Sequence, residues 1–207
     1  MKKEEALQIL FQCADKYEEN LANKNLLLIC VDKQLSLSSL ELVFNRGNFL
    51  HMTGIKFKDD KLFPANQFYK MCLKRRLSIN DFELAKDGTT EMKLRVLPAL
   101  VAANLSANMV GDYSGSRPML YTDKIAGNVK GCIGLLHDEK RNLYVPNTVL
   151  NEDIRKLIMN VRRVIAVYRK DIKEKAYTEL VYKARNVDES LWYEVTIGFL
   201  PLKYGCK

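Results

Sequence analysis

The clearest indication of the fold class lies in residues 108–148, which read NMVGDYSGSRPMLYTDKIAGNVKGCIGLLHDEKRNLYVPNT. Short apolar stretches are separated here by glycine, serine, proline and asparagine, which is the pattern of strands joined by turns in an antiparallel sheet. We expect four strands in this region, at 108–113, 118–124, 128–136 and 142–148.

Further strands are expected on both sides of this region. Segments 25–31 and 39–45 are apolar or alternating and flank a polar turn, which predicts a hairpin. Two more strands are expected at 163–171 and 177–186, and residues 191–201 are a candidate for a last one.

Helices are predicted mainly in the N-terminal half. Apolar residues recur at helical spacing over residues 3–22, and a second helix is expected to begin at Pro64, which suits a first helical turn. A third helix is expected over 87–105, with Pro98 kinking or interrupting it because proline removes a backbone donor. Residues 151–160 are expected to form one or two helical turns, with their first residue, an asparagine, as the cap.

This order of elements, helices first and strands afterwards, lacks regular βαβ alternation. It predicts an α+β fold in which N-terminal helices pack on a mainly antiparallel β-sheet. No linker, repeat or low-complexity segment is evident, so a single domain over 1–207 is expected. Within it we expect an N-terminal helix in 1–24, a core in 25–185 and a C-terminal extension in 186–207.

The composition is that of an ordinary soluble globular protein, with 47% hydrophobic and 28% charged residues among 207. No stretch is long and apolar enough to span a membrane, and acidic residues soon after the N-terminus exclude the apolar core of an export signal. Five widely spaced cysteines without a CxxC pair fit reduced thiols better than a zinc site or a disulfide framework. We therefore expect a cytoplasmic protein with no membrane contact.

Basic residues outnumber acidic ones by 33 to 25, which gives a net charge of +8. A basic domain of this size favours a polyanionic partner such as nucleic acid or an acidic protein. The alternative is that this excess of charge serves solubility alone.

The motifs of several enzyme classes are absent. The sequence contains no GxxxxGK[ST], GxGxxG, HExxH or GxSxG motif, and no acidic cluster with calcium-loop spacing. Because the chain has two histidines and no paired cysteines, we expect neither a transition-metal site nor a cofactor. These absences favour metal-independent chemistry or plain binding.

One of the two histidines, His51, lies in the apolar segment GNFLHMTG, residues 47–54. If this segment is extended, the side chains of Phe49, His51 and Thr53 share one face. Histidine suits proton transfer at neutral pH, and the alternative is a structural histidine that donates to a carbonyl. The other histidine, His137, lies in a hydrophilic run typical of a hairpin tip, and we assign it no role.

Two further segments carry polar side chains beside predicted strands. Segment 120–134 places Lys124 at a strand end, where it can stabilise a phosphate or an oxyanion, or lie solvated in a hairpin loop. Segment 144–155 offers Tyr144, Asn147, Thr148 and Arg155. The alternative for the asparagine and the threonine is to cap the helical turn that follows.

Six segments, taken in order, resemble the phage- and mobile-element-associated branch of the barnase, EndoU, colicin and RelE-like (BECR) nuclease superfamily. They are NFLHMTG, QFYKMCLKRRLSINDF, DGTTEMKLRVLPAL, MVGDY, LYTDKIAGNVKGCIG and YVPNTVLNEDIR. The similarity covers roughly residues 25–185, the expected nuclease-like core.

The resemblance implies helices packed on an antiparallel sheet of four or more strands, and metal-independent cleavage of RNA by attack of the 2′-hydroxyl. Carried onto this sequence, it implies His51 as general base or acid, and Lys124 and Arg155 as stabilisers of the phosphate. Thr148 completes the implied catalytic set. The implied substrate-binding residues are Thr53, Tyr144, Asn147 and Lys130.

The sequence therefore predicts an endoribonuclease that acts on RNA, either toxin-like or used in conflict between mobile elements and their hosts. An alternative is a non-catalytic phage or mobile-element inhibitor that binds a host defence or immunity protein, or its RNA. A third reading is a transferase that places His51 against a nucleotide cofactor.

Overall fold

The computed structural model describes residues 1–58, 64–115, 119–192, 196 and 198–200. This part of the chain contains four α-helices, namely α1 (Lys3–Asn20), α2 (Asn48–Thr53), α3 (Pro64–Leu73) and α4 (Thr89–Leu100). It also contains ten strands, namely β1 (Lys24–Val31), β2 (Leu37–Phe44), β3 (Lys56–Phe57), β4 (Phe82–Glu83), β5 (Met109–Tyr113), β6 (Lys124–Gly127), β7 (Cys132–Asp138), β8 (Leu143–Leu150), β9 (Ile158–Asp171) and β10 (Glu179–Lys183). Two short 3₁₀ helices lie at Ile154–Lys156, between β8 and β9, and at Glu189–Trp192, after β10.

The elements predicted with regular periodicity are confirmed. Helix α1 matches the helix expected over 3–22, β1 and β2 form the expected hairpin, and α3 begins at Pro64. Helix α4 ends at Leu100, two residues beyond Pro98, so the proline lies in the last turn and the helix stops there. No helix in the described part of the chain is both long and apolar enough to cross a bilayer.

The α+β class is confirmed, but the sheet closes on itself instead of forming an open layer. Its strands follow the order β1-β2-β8-β7-β6-β5-β9, and β9 pairs again with β1, so these seven strands form a barrel. Strand β10 extends the sheet along β9, and β3 pairs only with β4. The pairings of the large sheet are antiparallel except for a short parallel contact between β2 and β8. Local sequence patterns predict the strands but not this closure.

Strand β1 explains why the segment NLLLICV is apolar at almost every position. Leu26 and Leu28 face the helices on the inner side of the barrel, whereas Leu27 and Ile29 belong to a second cluster on the outer side. Because strand side chains alternate between faces, a strand that is covered on both faces is apolar throughout. Trp192 and other residues near the C-terminus cover the outer cluster.

The helices pack on the inner side through an aromatic cluster. Tyr17 of α1 contacts Phe49 of α2 with ring centroids 5.3 Å apart, and Phe49 contacts Tyr69 of α3 at 5.2 Å. The Tyr17 hydroxyl donates to the carbonyl of Asn45 at 2.8 Å, which ties α1 to the turn before α2. This cluster fills the interior beneath the helices, so the other end of the barrel is left for polar side chains.

The segment at 47–54 is not extended, because residues 48–53 form helix α2. Its buried apolar side chains, Phe49 and Met52, are three residues apart, which matches one face of a helix. Gly54 ends the helix in the left-handed conformation at φ 68°, as a C-terminal glycine commonly does. A short apolar run of this length does not distinguish strand from helix by periodicity.

Other boundaries also differ from the sequence expectations, three of them most clearly. Residues 151–160 contain a single 3₁₀ turn, and its cap is Asp153, whose carboxylate accepts from the Arg155 backbone N–H, rather than Asn151. Strand β6 begins only at Lys124, and residue 118 of the expected strand lies outside the described residues. Where 191–201 was expected to be a strand, the 3₁₀ helix that begins at Glu189 ends at Trp192, and much of the remainder lies outside the described residues.

Candidate functional site

Polar side chains gather at the end of the barrel where several strands leave the apolar core. Most of them lie two residues from a core residue on the same strand, so the alternation of side chains keeps them on the inner face. Thus Lys124 precedes Ala126, and His137 follows Leu135. We call this region the barrel mouth and define it by Ser38, Asp112, Lys124, His137, Tyr144 and Arg162.

A hydrogen-bonded network organises the mouth. The Lys124 ammonium contacts a carboxylate oxygen of Asp112, and the Asn160 amide donates to the other carboxylate oxygen at 2.9 Å. The Arg162 guanidinium donates to the Ser38 hydroxyl at 2.8 Å, which leaves its other N–H groups available to a ligand. Lys124 also lies 5.8 Å from the ring centroid of Tyr144, in a cation–π contact. The network holds two cations on one wall.

A β-bulge between β5 and β9 directs Asn160 and Arg162 into the mouth. The register shifts between Val110 and Asp112, and Asn160 adopts the left-handed conformation at φ 51°. Gly111 lies at the shift, and a Cβ there would be only 2.6 Å from the carbonyl oxygen of Met159. Only glycine therefore lets the two backbones approach this closely. Bulges of this kind often re-aim side chains beside functional sites.

An outer cleft opens beside the network and contains the second histidine. The His137 ring lies 5.0 Å from the Tyr144 ring, and its Nε2 is 3.2 Å from the Asn142 side-chain oxygen. Tyr121, 85% exposed, and Asp123 also line this cleft. The Asp123 carboxylate accepts from the His137 backbone N–H at 2.7 Å, which fixes the end of β7. The outer cleft therefore combines a proton-exchanging ring with the Lys124 ammonium.

An inner pocket lies behind Lys124 inside the barrel and has a volume of about 150 Å³. Cys30, Leu40 and Val110 supply apolar walls, and Asn160 and Arg162 supply hydrogen-bond donors. Asp112, Lys124 and Tyr144 line both the inner pocket and the outer cleft. The two spaces therefore meet at the Lys124 ammonium.

The charges of the mouth set the state of its acidic groups. Burial alone raises the pKa of Asp112, but hydrogen bonds from Lys124 and Asn160, with the positive charges of Lys124 and Arg162, bring its pKa below the ordinary value. Asp112 is therefore an ionised acceptor at neutral pH. Burial raises the pKa of the Cys30 thiol to about 12, against the opposing charges of Arg162 and Lys124, so this cysteine remains a neutral thiol.

Of the residues predicted from the sequence, two lie in the mouth and a third supports it. Lys124 and Tyr144 line both cavities. The Asn147 amide donates to the carbonyl of Tyr121 at 2.7 Å, which anchors the loop at the rim of the outer cleft. Lys124 lies on β6, and Tyr144 and Asn147 lie on β8.

His51 and Thr53 lie on α2 rather than in the mouth. The His51 side chain is exposed, and its backbone carbonyl accepts from the Lys93 ammonium at 3.3 Å. The Thr53 hydroxyl is buried, donates to the carbonyl of Leu50 at 2.7 Å and accepts from the backbone N–H of Ile55. Thr53 therefore stabilises the end of the helix. Neither residue is among those that line the two described cavities.

Three more predicted residues lie elsewhere on the barrel. Arg155 is exposed and forms an ion pair with Asp153 at 2.6 Å, next to the buried Ile154. Lys130 is exposed in the turn after β6, at the opposite end of that strand from Lys124. Thr148 pairs with Gly134, and its position in the alternation places it on the outer face of β8. The structure therefore does not bring these side chains to Lys124.

Several residues of the mouth escaped the sequence analysis. His137 was placed in a hairpin tip, although its spacing of two from Leu135 and four from Ile133 marks it as the inner-face end of an apolar strand. Arg162 shows the same relation to Val164. Asp112 and Ser38 show it to Val110 and Leu40, whereas Asn160 carries no comparable signal, because its position depends on the bulge between β5 and β9.

Comparison with known proteins assigns the chain to a family. The sequence model of the family described as phage-Barnase-EndoU-ColicinE5/D-RelE like nuclease4 matches residues 9–186. The chain therefore belongs to this nuclease family, as the resemblance of its motifs predicted. Neither a curated protein nor a solved structure matches it significantly. Among the described residues, no three or more histidine, cysteine, aspartate or glutamate side chains cluster in a way that could hold a metal ion.

Proposed function

We propose that this member of the nuclease family cleaves RNA at the barrel mouth, without a metal ion, by attack of a 2′-hydroxyl on the adjacent phosphodiester. The observation that carries the proposal is that Arg162 lines the inner pocket, His137 lines the outer cleft, and Lys124 lines both. The cations provide a site for a phosphate, and the imidazole provides proton transfer. The net charge of +8 favours the approach of a polyanion.

The reaction requires two proton transfers and one displacement at phosphorus. A base removes the proton of the 2′-hydroxyl, the 2′-oxygen forms a bond to phosphorus, and the bond from phosphorus to the 5′-oxygen breaks. The leaving 5′-oxygen takes up a proton, so the products end in a 2′,3′-cyclic phosphate and a 5′-hydroxyl. Lys124 and Arg162 would stabilise the negative charge that develops on the phosphate oxygens.

We propose His137, rather than His51, as a proton-transfer residue. His137 shares the outer cleft with Lys124, whereas the His51 side chain is exposed on α2. Proton transfer by a positioned side chain contributes about 10²- to 10⁴-fold in rate, so the two histidines should differ sharply in their effects. Both side chains are exposed, which makes His51→Ala a matched control for His137→Ala.

The test is cleavage of a mixed RNA pool by the pure protein in EDTA, with analysis of the fragment ends. We expect 2′,3′-cyclic phosphate ends, a loss of about 10²-fold or more in His137→Ala, and near wild-type rates in His51→Ala. If His51→Ala abolishes cleavage and His137→Ala does not, His51 is the general base or acid, as the resemblance implies, and our assignment of His137 is wrong. If folded wild-type protein cleaves no RNA, the nuclease proposal fails.

A second pair of variants tests the cations. Lys124→Met removes the ammonium that lines both cavities, and we expect cleavage to fall by about 10²- to 10³-fold, as for other groups that stabilise transition-state charge. Arg155→Met and Lys130→Met remove one positive charge each at exposed positions away from the mouth. An equal loss in all three variants would indicate that total charge, not the mouth, determines the rate.

The biological role that fits this chemistry is a toxin-like nuclease used in conflict between a mobile element and its host. Toxicity of the cloned gene, its loss in His137→Ala and its rescue by a neighbouring gene would support this role. Absence of cleavage together with saturable binding to a host protein or its RNA would favour the non-catalytic inhibitor instead. Binding whose affinity falls steeply with salt concentration would identify RNA as the ligand, because contacts to phosphates release counterions.

A further inference from the structure

We infer that the inner pocket of the barrel mouth binds one pyrimidine base of the substrate, the base whose 3′-phosphate lies at Lys124. The inference rests on the proposed function, since it identifies the nucleotide that the same site accepts. It is carried by the volume of the pocket, the chemistry of its walls and its connection to the outer cleft.

The volume limits the ligand to a single ring. The pocket measures about 150 Å³, and an engineered protein cavity of about this size accommodates one benzene molecule. A six-membered pyrimidine ring therefore fits, whereas the fused rings of a purine need more space. The pocket cannot readily enlarge, because Cys30, Leu40 and Val110 belong to the packed core beneath the helices.

The walls of the pocket match the faces and edges of such a ring. Leu40 and Val110 offer apolar contact to its faces, and the half-buried Tyr144 offers an aromatic one. The Arg162 guanidinium and the Asn160 amide are donors for the carbonyl oxygen that uracil and cytosine share at position 2. The pocket therefore combines apolar walls with a few convergent polar groups, as ligand sites commonly do.

The connection to the outer cleft places the rest of the nucleotide. Lys124 lines both spaces, so a base in the inner pocket directs its ribose and 3′-phosphate past the Lys124 ammonium into the cleft that contains His137. This arrangement brings the 2′-hydroxyl of the same nucleotide between the pocket and the histidine. Cleavage should therefore occur on the 3′ side of pyrimidines.

Binding of nucleoside 3′-monophosphates tests the inference independently of catalysis. We expect uridine and cytidine 3′-monophosphates to bind wild-type protein roughly 10-fold or more tightly than the adenosine and guanosine compounds, as measured by calorimetry. Mapping of cleavage sites on a mixed-sequence RNA should show the same preference. Equal binding of all four nucleotides, or equal cleavage after all four bases, would overturn the inference.

A variant that fills the pocket provides a second measurement. Ser38→Leu places a larger side chain into the pocket, and Ser36→Leu places the same side chain in the exposed turn before β2. We expect Ser38→Leu to lose the pyrimidine preference among the four nucleoside 3′-monophosphates, and Ser36→Leu to retain it. If Ser38→Leu keeps the full preference for pyrimidines, the base does not occupy this pocket.

The two proposals fail in different ways. Preferential binding of pyrimidine nucleotides by a protein that cleaves no RNA would refute the nuclease function and support the pocket. Cleavage that produces cyclic phosphate ends without base preference would refute the pocket and support the function.

Discussion

The bulge between β5 and β9 allows a sharp test of how the fold positions the site. At Gly111, an added Cβ would lie 2.6 Å from the carbonyl oxygen of Met159 and 2.9 Å from Cβ of Ile158. The nearest atom belongs to the backbone, so Gly111→Ala requires β9 to move away from β5. Overpacking of this kind costs about 1 to 3 kcal/mol. For a chain of this length, we expect the Tm to fall by roughly 2 to 12 °C.

The same movement should affect the mouth more strongly than it affects stability. Asn160 and Arg162 enter the mouth from the bulged segment of β9, so a shift of that strand displaces both from Asp112 and Lys124. Misplacement of about 1 Å near a reacting group can reduce the rate by about 10²-fold. We therefore expect Gly111→Ala to lose most of its cleavage at temperatures well below its own Tm.

Gly47→Ala is the matched control. Gly47 has φ −65° and ψ −25°, which alanine adopts freely, and an added Cβ would be 3.4 Å from its nearest neighbour, the Asn66 side-chain oxygen. We expect an unchanged Tm or a gain of about 0.4 to 1 kcal/mol from the lower entropy of the unfolded chain. Thermal unfolding by circular dichroism and cleavage at 25 °C measure the two effects. If Gly111→Ala melts and cleaves like the wild type, the close approach of the strands does not position the site.

Three further predictions concern charge, pH and thiols. Asp112→Asn removes a negative charge beside Lys124, so the variant should bind inorganic phosphate several-fold more tightly than the wild type, as measured by calorimetry. Weaker binding would mean that the carboxylate mainly positions the ammonium. Tyr69→Phe removes the hydrogen bond to Glu18 at 2.6 Å, one of the contacts that, against the effect of burial, lower the pKa of Glu18. A carboxyl group whose pKa is lower in the folded than in the unfolded state stabilises the fold at pH values above the unfolded-state pKa, and this contribution is lost in acid. The free energy of unfolding of the variant, measured in urea, should therefore fall by about 1 kcal/mol at pH 7 and by less below about pH 4. An equal loss at both pH values would contradict this reasoning. Burial raises the pKa of each of the four described cysteines to about 12. In a Cys206→Ser background, Ellman's reagent at pH 8 should therefore react with these thiols only after the protein is unfolded. Rapid reaction of the native protein would show that a thiol is accessible.

The elements that could be predicted from the sequence are those whose pattern extends over several turns or alternations. Helix α1 and the hairpin of β1 and β2 follow from such patterns, and the structure confirms them. Helix α2 has only six residues, and its apolar side chains fit either periodicity until tertiary packing selects one. Burial of Phe49 against Tyr17 and Tyr69 selects the helix, and neither partner is close in sequence.

The site was predictable in part for a related reason. Strands β5 to β8 are consecutive and pair in sequence order, so the inner-face residues Asp112, Lys124, His137 and Tyr144 can be placed together from strand alternation once the four strands are recognised. His51 is a candidate from the sequence because it is one of only two histidines in the chain. The rarity of a residue type does not indicate which face of an element its side chain occupies. The catalytic role of His51 remains a prediction, against which the His137 variant provides the direct comparison.

The inner pocket depends on closure of the barrel. Ser38 belongs to β2 and Arg162 to β9, and the pairing of β9 with β1 closes the barrel so that the two side chains meet. The pairing of β1 with β9 joins segments more than a hundred residues apart, and no local pattern specifies it. Closure places the Ser38 hydroxyl against the Arg162 guanidinium and encloses the inner pocket between β1, β2, β5 and β9. An open sheet built from the same strands would retain Lys124, His137 and, through the pairing of β5 with β9, Arg162. It would lack the enclosed pocket, so closure of the barrel accounts for the proposed base specificity.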